Sequence, residues 1–188
     1  MGIPSKEESV LELFFNEPTR HWHFHTIAES AGASDVAVDK WLKKNASGKL
    51  IKRIKPKGKM PYYIANWDNH QYHSAKRVFA LNKLHESGLL GKLQSLDHAK
   101  AVVVFGSFAR SDWHTGSDVD VFVLGDPGDL GSGTLWKGLG LGGKSREVSV
   151  HNYPTIGDAR NIHSGLMKNV VKGFFVKGNI YDIAEVAA

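Results

Sequence analysis

The chain has 188 residues, 41% of them hydrophobic and 23% charged, and it contains no cysteine. That composition is typical of a globular protein, and the lack of cysteine excludes a disulfide scaffold, a thiol nucleophile and cysteine-ligated metal centres. No apolar stretch approaches the roughly 20 residues that span a bilayer, and the N-terminal residues lack the apolar core of a signal peptide. We therefore expect a cytoplasmic protein that makes no contact with membranes.

The formal net charge of +5 is unevenly distributed along the chain. Residues 40–59 contain nine basic side chains and no acidic one. A cluster of this kind is the electrostatic footprint of a polyanion partner, because each phosphate that is neutralised releases condensed counterions. A solvated basic face would give the same pattern, so the local structure has to decide between the two interpretations.

Three short helices and a hairpin are predicted in the first 66 residues. The elements are expected in this order: a helix that Ser5 caps and that ends near Asn16, a helix over 25–31, a helix from 35 to about 45, and strands over 49–55 and 60–65. The first helix ends before Pro18, because the residue preceding a proline avoids the helical region. Gly32 ends the second helix, and the Pro56–Lys59 segment is typical of a hairpin turn.

These elements indicate a winged helix-turn-helix over residues 1–66, and the pattern resembles the broad prokaryotic winged-helix family. The third helix of such a fold enters the major groove, and the basic hairpin would lie beside phosphates or in the minor groove. Double-stranded DNA is therefore the expected partner, with a protein-interaction role as the alternative. The candidate DNA-contacting residues are Ser34, Lys40, Lys43, Lys44, Arg53, Lys55, Lys57 and Lys59.

A helical connector is predicted over residues 67–97. Gly88 and Gly91 interrupt its apolar pattern, so we expect two helices rather than one. A connector of this kind is also a candidate surface for a homodimer.

The residues that can carry chemistry lie in a strand–turn–helix motif followed by a second strand. Residues 101–105 are apolar and rich in valine, which is typical of a buried strand, and a Gly106-Ser107 turn then opens a short helix. Asp118 and Asp120 lie two positions apart on the next strand, so their carboxylates point to the same side. Two like charges so close favour a hard divalent cation such as Mg²⁺ between them. Since the glycine also lets a phosphate approach the backbone, the motif predicts a metal–triphosphate site.

The run Val104-Phe105-Gly106-Ser107-Phe108-Ala109-Arg110, followed by Gly116-Ser117-Asp118-Val119-Asp120, resembles the signature of the minimal nucleotidyltransferases of the DNA polymerase β-like superfamily. The resemblance implies a small mixed-sheet nucleotidyltransferase domain over residues 98–188, and hence an α/β chain like prokaryotic, especially archaeal, nucleotidyltransferase-type regulators. It also implies transfer of a nucleoside monophosphate from an NTP to an acceptor, with Mg²⁺ as cofactor. The implied roles are metal binding and catalysis for Asp118 and Asp120, and nucleotide binding for Gly106, Ser107, Arg110 and Ser117.

The family places a third carboxylate on a later strand, and this chain departs from that pattern. Ser149 stands at the expected position, with Glu147 two residues earlier and therefore on the same face. Either Glu147 completes the catalytic set, or the third acid is missing and nucleotide binds without turnover. Two functions follow: an active transferase, or a non-catalytic DNA-binding regulator or antitoxin-like protein. Related minimal modules often act with a helical, toxin-like partner protein, which suits either function.

The remaining segments are expected to complete the second domain. Residues 138–145 formally satisfy the P-loop pattern, but a weak helix over about 130–139 and a following strand give the wrong context for a phosphate-binding loop. A helix over 156–170 and a hairpin over 173–181 are predicted after it.

Overall fold

The computed structural model describes residues 5–160 and 162–187, with side chains up to residue 183. The chain divides into two compact units, Met1–Phe79 and Ala80–Ala188. The finer division into segments 1–66, 67–97 and 98–188 stays a prediction. Within the described residues, none of the helices is both long enough and apolar enough to cross a membrane.

The first unit follows the predicted order of three helices and a hairpin. It contains α1 (Lys6–Asn16), α2 (Phe24–Ala31), α3 (Asp35–Ser47), β1 (Ile51–Ile54) and β2 (Tyr62–Ala65), and α4 (His70–Glu86) begins in it. Ser5 and Glu8 form a capping box at the start of α1, and Gly32, at φ +57°, ends α2. The two strands pair antiparallel, with Ile51 opposite Ala65. The predicted elements are therefore confirmed, with α2 beginning one residue earlier than expected.

The core of the first unit takes its side chains from one face of each helix. Its fully buried members include Val10 and Phe14 of α1, Ile27 of α2, and Val38 and Leu42 of α3. The spacing of four residues in α1 and α3 places both members of each pair on the same helix face. Because the core uses that face, the opposite face of α3 remains at the surface. The hairpin buries Ile51, Tyr63 and Ala65, and exposes the lysines of its turn.

The second unit contains a five-stranded mixed sheet in the order β5-β6-β4-β3-β7. The strands are β3 (Ala99–Phe105), β4 (Val119–Gly125), β5 (Thr134–Trp136), β6 (Arg146–Tyr153) and β7 (Phe174–Lys177). Strands β4 and β6 are parallel, and the other neighbours are antiparallel. The helices that follow α4 are α5 (Leu89–Gln94), α6 (Gly106–Arg110), α7 (Ile156–Ala159), α8 (Ser164–Val170) and α9 (Ile180–Ala187). The predicted α/β class with a mixed sheet is confirmed.

Strands β3 and β4 form the buried centre of this sheet. Val103 and Phe122 pair in register and are fully buried. They share a face with other apolar residues, and that face packs against Ala159, Val170 and Ile183 of the last three helices. This packing fixes the end of β3 and the start of β4, where the Gly-Ser turn and the two aspartates lie.

The predicted division of the connector into two helices is confirmed at Gly88, which, at φ +80°, separates α4 from α5. The predicted interruption at Gly91 is wrong, because Gly91 lies inside α5. The helix predicted over 130–139 is wrong, since residues 134–136 form β5, the edge strand that pairs with β6. Gly133 and Gly138 adopt φ angles of +82° and +86°, which an α-helix does not contain. The P-loop-like residues therefore lie between two strands, around a short 3₁₀ turn at Leu141–Gly143.

Two further predictions for the end of the chain are wrong. The helix expected over 156–170 is two helices, α7 and α8, because His163 caps a second helix by accepting a hydrogen bond from the Gly165 amide at 3.1 Å. The hairpin expected over 173–181 is strand β7 followed by α9. Asn179 starts that helix, since its side chain accepts from the Tyr181 amide at 2.9 Å and its own amide donates to Asp182 at 2.8 Å.

Candidate functional site

The Gly-Ser turn and the Asp-x-Asp pair meet at one end of β3 and β4. Phe105 pairs directly with Asp120, so Gly106 follows immediately beside the Asp120 side chain. Gly106 has φ +70°, and a Cβ at this position would lie 2.0 Å from Asp120 Oδ2. Only glycine fits here, because any side chain would occupy the place of the carboxylate. The two halves of the motif are thus in contact.

The two aspartates differ in their surroundings, because β4 begins at Val119: Asp118 lies just before the strand, whereas Asp120 lies on it. Asp118 is exposed, whereas the Asp120 side chain is 30% exposed. Burial raises the pKa of Asp120; nearby His151 lowers it, the charge of Asp118 raises it, and Arg110 lowers it, with a net upward shift. The raised pKa means that the negative charge of Asp120 is unfavourable in the protein alone. A bound cation would offset that charge, so the position favours cation binding.

The short helix α6 carries Ser107 and Arg110. Ser107 is half-buried, and its carbonyl accepts from the Asp112 amide at 3.1 Å. Arg110 is exposed and its Nε donates to Asp112 Oδ2 at 3.0 Å, so the guanidinium is held next to the turn. Ser107 directly follows Gly106, and Arg110 is near enough for its charge to lower the pKa of Asp120. Their role in nucleotide binding stays a prediction.

Ser117 is engaged in the loop that leads into β4. Its hydroxyl accepts a hydrogen bond from the His114 amide at 3.0 Å, and its amide donates to the His114 carbonyl at 3.0 Å. His114 Nδ1 in turn accepts from the Gly116 amide at 3.1 Å. In this structure Ser117 therefore shapes the turn that presents Asp118.

The position at which the resemblance implies a third carboxylate lies on β6, next to β4. Asp120 pairs with Ser149, so a hydroxyl stands beside Asp120 at that position. Glu147 is exposed and pairs with Leu135 of the edge strand β5, and its Oε1 lies 3.7 Å from where a Cβ of Gly133 would be. Over residues 5–160 and 162–183, no three His, Asp or Glu side chains are grouped so as to hold a metal ion.

Two residues near this site were not identified from the sequence. His151, two positions after Ser149, places Nε2 3.7 Å from Asp120 Oδ1, and its ring packs against Phe105 with centroids 5.2 Å apart. Arg146, at the start of β6, is buried and donates to carbonyl groups of the loop before Asp118. The period of two along β6 could have indicated His151, because it places that side chain on the face of Ser149.

The donor set fits a hard divalent cation. Mg²⁺ is usually held by one or two carboxylates together with substrate phosphates, and it keeps several of its waters. Asp118 and Asp120 supply two carboxylates, and the upward pKa shift of Asp120 indicates that its negative charge is poorly compensated by the protein alone. The pair would therefore act together with the phosphates of a nucleotide rather than as a complete protein cage.

The candidate DNA-contacting residues lie on α3 and the hairpin. Ser34 caps α3 by accepting a hydrogen bond from the Ala37 amide at 3.4 Å. Two lysines of α3 are already paired, Lys43 with Asp39 at 2.7 Å and Lys44 with Glu7 at 2.6 Å. The other candidates, Lys40, Arg53, Lys55, Lys57 and Lys59, are all exposed. The hairpin and Lys40 thus present most of the uncompensated positive charge of the predicted interface.

Comparison with known proteins identifies a domain in the second half of the chain. Residues 86–171 match the family model described as "Nucleotidyltransferase domain". This range begins at the last residue of α4 and includes the Gly-Ser turn, both aspartates and Ser149. The search of curated proteins finds no match, and neither does the search of solved structures.

Proposed function

We propose that the nucleotidyltransferase domain matched at residues 86–171 is an Mg²⁺-dependent enzyme that moves a nucleoside monophosphate from an NTP to an acceptor hydroxyl. The observation that carries the proposal is the contact between Gly106 and the Asp120 carboxylate, with Asp118 close enough for its charge to raise the pKa of Asp120. That contact brings the backbone of a glycine turn, where a phosphate can approach, to a pair of carboxylates that can hold a cation.

The reaction requires a defined set of contacts from this chain. Asp118 and Asp120 bind the cation, and Gly106 leaves room for the phosphates next to them, while Arg110 adds positive charge at the same end of the sheet. When bound, the divalent cation neutralises the charge of the triphosphate. The acceptor oxygen forms a bond to the α-phosphorus as the bond from that phosphorus to the bridging oxygen breaks, and pyrophosphate leaves. The acceptor's proton passes to Glu147, the candidate third acid, or to solvent water.

A second function is favoured by Ser149. A serine hydroxyl beside Asp120 cannot take up the acceptor's proton at neutral pH as a carboxylate would. With Glu147 at the β5 edge of the sheet, the domain would bind nucleotide without transferring it. The chain would then be a non-catalytic regulator or antitoxin-like protein that senses nucleotide.

The first unit is proposed to be a winged helix-turn-helix that binds double-stranded DNA. Support comes from its three helices and hairpin, and from the exposed basic residues that follow α3. DNA binding is compatible with both functions, because it would bring either an enzyme or a nucleotide sensor to a chromosomal site. A helical partner protein, a homodimer and a cytoplasmic location stay predictions from the sequence.

Label transfer from an NTP separates the two functions. An NTP labelled at the α-phosphate is incubated with the full chain and Mg²⁺, and label is followed into the chain itself, into added tRNA and into the proteins of a prokaryotic cell extract. The test variants are Asp118→Asn and Asp120→Asn. Asp126→Asn is the matched control, because Asp126 is an exposed residue just after the opposite end of β4.

Each outcome assigns a function. Transfer that falls at least about 100-fold in both test variants and persists in the control supports the enzyme. Nucleotide binding that needs both aspartates, without transfer to any acceptor, supports the sensor. Binding and transfer that are both absent in the unaltered chain contradict the proposal.

A further inference from the structure

Arg146 is a charged side chain in the interior of the second unit, only 4% exposed. It is the first residue of β6, and its guanidinium reaches the loop that precedes Asp118. Nη1 donates to the His114 carbonyl at 2.8 Å, to the Thr115 carbonyl at 3.4 Å, and closely to the Ser117 carbonyl. Three carbonyls of one four-residue loop thus converge on one nitrogen.

The same guanidinium also contacts the helix of the Gly-Ser turn. Its central carbon lies 5.2 Å from the ring centroid of Phe108, in α6, and 5.5 Å from that of Trp113. The two rings stack on each other with centroids 5.1 Å apart and planes 17° from parallel. Planar guanidinium groups pack well against aromatic rings, so Arg146 is held by both halves of the motif.

A fourth hydrogen bond anchors the base of the side chain. Arg146 Nε donates to the Leu139 carbonyl at 3.3 Å, in the segment between β5 and β6. Removing a guanidinium from water is expensive unless its donors are satisfied, and here backbone carbonyls from two loops satisfy them. A lysine could not reproduce this arrangement, because a single ammonium group cannot reach carbonyls in two directions while lying flat on a ring.

We propose that Arg146 is a positioning residue that fixes Asp118 relative to the Gly106-Ser107 turn, so that a cation and a triphosphate can be held between them. The inference rests on the proposed function, since it concerns the same site. Asp118 directly follows Ser117, whose carbonyl Arg146 binds, and Phe108, whose ring the guanidinium contacts, lies two residues after Gly106 in α6. Loosening Arg146 would therefore let the loop and the turn move independently while both aspartates remain present.

Three measurements on the full chain test this inference. The variants are Arg146→Lys and Arg146→Met, each also combined with Asp118→Asn. Mn²⁺ serves as the spectroscopic substitute for Mg²⁺, and its binding in the presence of nucleotide is followed by electron paramagnetic resonance. Hydrogen exchange of the amides at 113–118 reports on the loop, and kcat and KM are measured if transfer is detected.

Lys177→Met is the matched control variant. Lys177 donates to the Leu96 carbonyl at 2.6 Å and the Asp97 carbonyl at 3.2 Å, near the opposite end of β3. It is thus another basic side chain of the same unit bound to backbone carbonyls, away from the aspartates. Thermal unfolding of each variant separates a general loss of stability from a local change at the site.

Arg146→Lys is expected to weaken Mn²⁺ binding about tenfold, which is the usual effect of losing a group that orients a metal ligand. Exchange in the loop should become faster, and KM for the nucleotide should rise more than kcat falls. With Asp118→Asn already present, Arg146→Lys should cause almost no further loss of Mn²⁺ affinity, because Arg146 acts through Asp118. The control should leave Mn²⁺ affinity and loop exchange unchanged.

Three results overturn the inference, and the last can be distinguished from the first two. If the unaltered chain binds Mn²⁺ with nucleotide but Arg146→Lys binds it equally well, the inference fails and the proposed function stands. Equal losses in Arg146→Lys and Lys177→Met overturn it in the same way, because they indicate only reduced stability. If the unaltered chain binds no Mn²⁺ with nucleotide, the proposed function fails and the inference fails with it.

Discussion

Gly106 and Asp120 are in such close contact that a methyl group at Gly106 would lie 2.0 Å from the Asp120 carboxylate. The contact arises because Phe105 and Asp120 are paired residues on antiparallel strands, so the turn after β3 passes over the Asp120 side chain. It joins the two parts of the motif into one site, and it makes glycine at position 106 a requirement of the site itself.

Gly106→Ala should therefore abolish nucleotide binding with a cation. The added methyl group would displace the Asp120 carboxylate, and a φ of +70° is strained for alanine. We expect the free energy of unfolding to fall by about 1–3 kcal/mol. Binding is measured by titration with nucleotide and Mn²⁺, and stability by thermal unfolding.

The control for this prediction is Gly91→Ala. Gly91 lies inside α5, and a Cβ there would have no atom within 4 Å, so alanine should be tolerated or slightly stabilising. Normal nucleotide binding by Gly106→Ala would show that the turn does not take part in the site.

Ser149→Asp should strengthen cation binding by roughly tenfold, since ligand charge tunes the affinity of such sites. Position 149 pairs with Asp120, so an aspartate there would point to the same face as the existing pair. If the unaltered chain is a sensor without transfer, this variant is the one most expected to gain transfer. Glu147→Gln is the comparison variant, and a large loss of transfer in it would show instead that Glu147 serves as the third acid.

The stability of the cation-free protein should depend on the charge of Asp120. Its pKa is raised above the usual value of 3.8, so the native state holds this proton more tightly than the unfolded state does. Stability from this group is therefore present at low pH and is lost as the pH rises through the native pKa. Asp120→Asn should raise the unfolding midpoint at neutral pH without added metal.

The higher unfolding midpoint of Asp120→Asn should approach that of the unaltered chain as the pH is lowered below the native pKa of Asp120, because the unaltered carboxyl then becomes neutral as well. Thermal unfolding from pH 7 down to about pH 3, with a chelator present, measures the difference. A variant that is less stable than the unaltered chain at neutral pH would contradict the upward direction of the shift.

DNA affinity should depend steeply on salt, and the hairpin should account for much of that dependence. Replacing Lys55, Lys57 and Lys59 by glutamine should make the slope of log affinity against log salt concentration shallower by up to about 3. Each lysine neutralises at most one phosphate, and each phosphate contributes about one to the slope. Fluorescence anisotropy with a labelled duplex at increasing salt measures the slope. An affinity that hardly changes with salt would contradict duplex binding by the first unit.

The comparison variant replaces Lys43 and Lys44, which are equally basic and exposed but paired with Asp39 and Glu7. Their charge is partly compensated in the free protein, so their removal should change the slope less than removal of the three hairpin lysines. An equal or larger effect would place α3, rather than the hairpin, closest to the phosphates.

The sequence predicts the parts of this molecule that depend on local patterns. The cap at Ser5 and the break at Gly88 each involve residues a few positions apart, and both are present. The strand predicted to carry both aspartates begins only at Val119, so Asp118 lies just before it. The two wrong predictions at the end of the chain also concern local signals, since the caps at His163 and Asn179 were overlooked.

The contacts that were missed depend on which strands become neighbours. His151 approaches Asp120, and Arg146 approaches the loop at Ser117, only because β6 lies parallel to β4 although twenty residues separate the two strands. In the same way, Lys43 and Asp39 form a pair that helical spacing predicts, whereas Lys44 and Glu7 are 37 residues apart. Long-range pairing of this kind has no local signal in a single sequence.

The most direct test is the titration of the unaltered chain, Asp118→Asn and Asp120→Asn with Mn²⁺ in the presence of a nucleoside triphosphate. Saturable binding by the unaltered chain that falls at least about tenfold in each variant is the predicted result. Affinity that is the same in all three proteins would mean that these carboxylates do not hold the nucleotide-bound cation, and would contradict the proposed function.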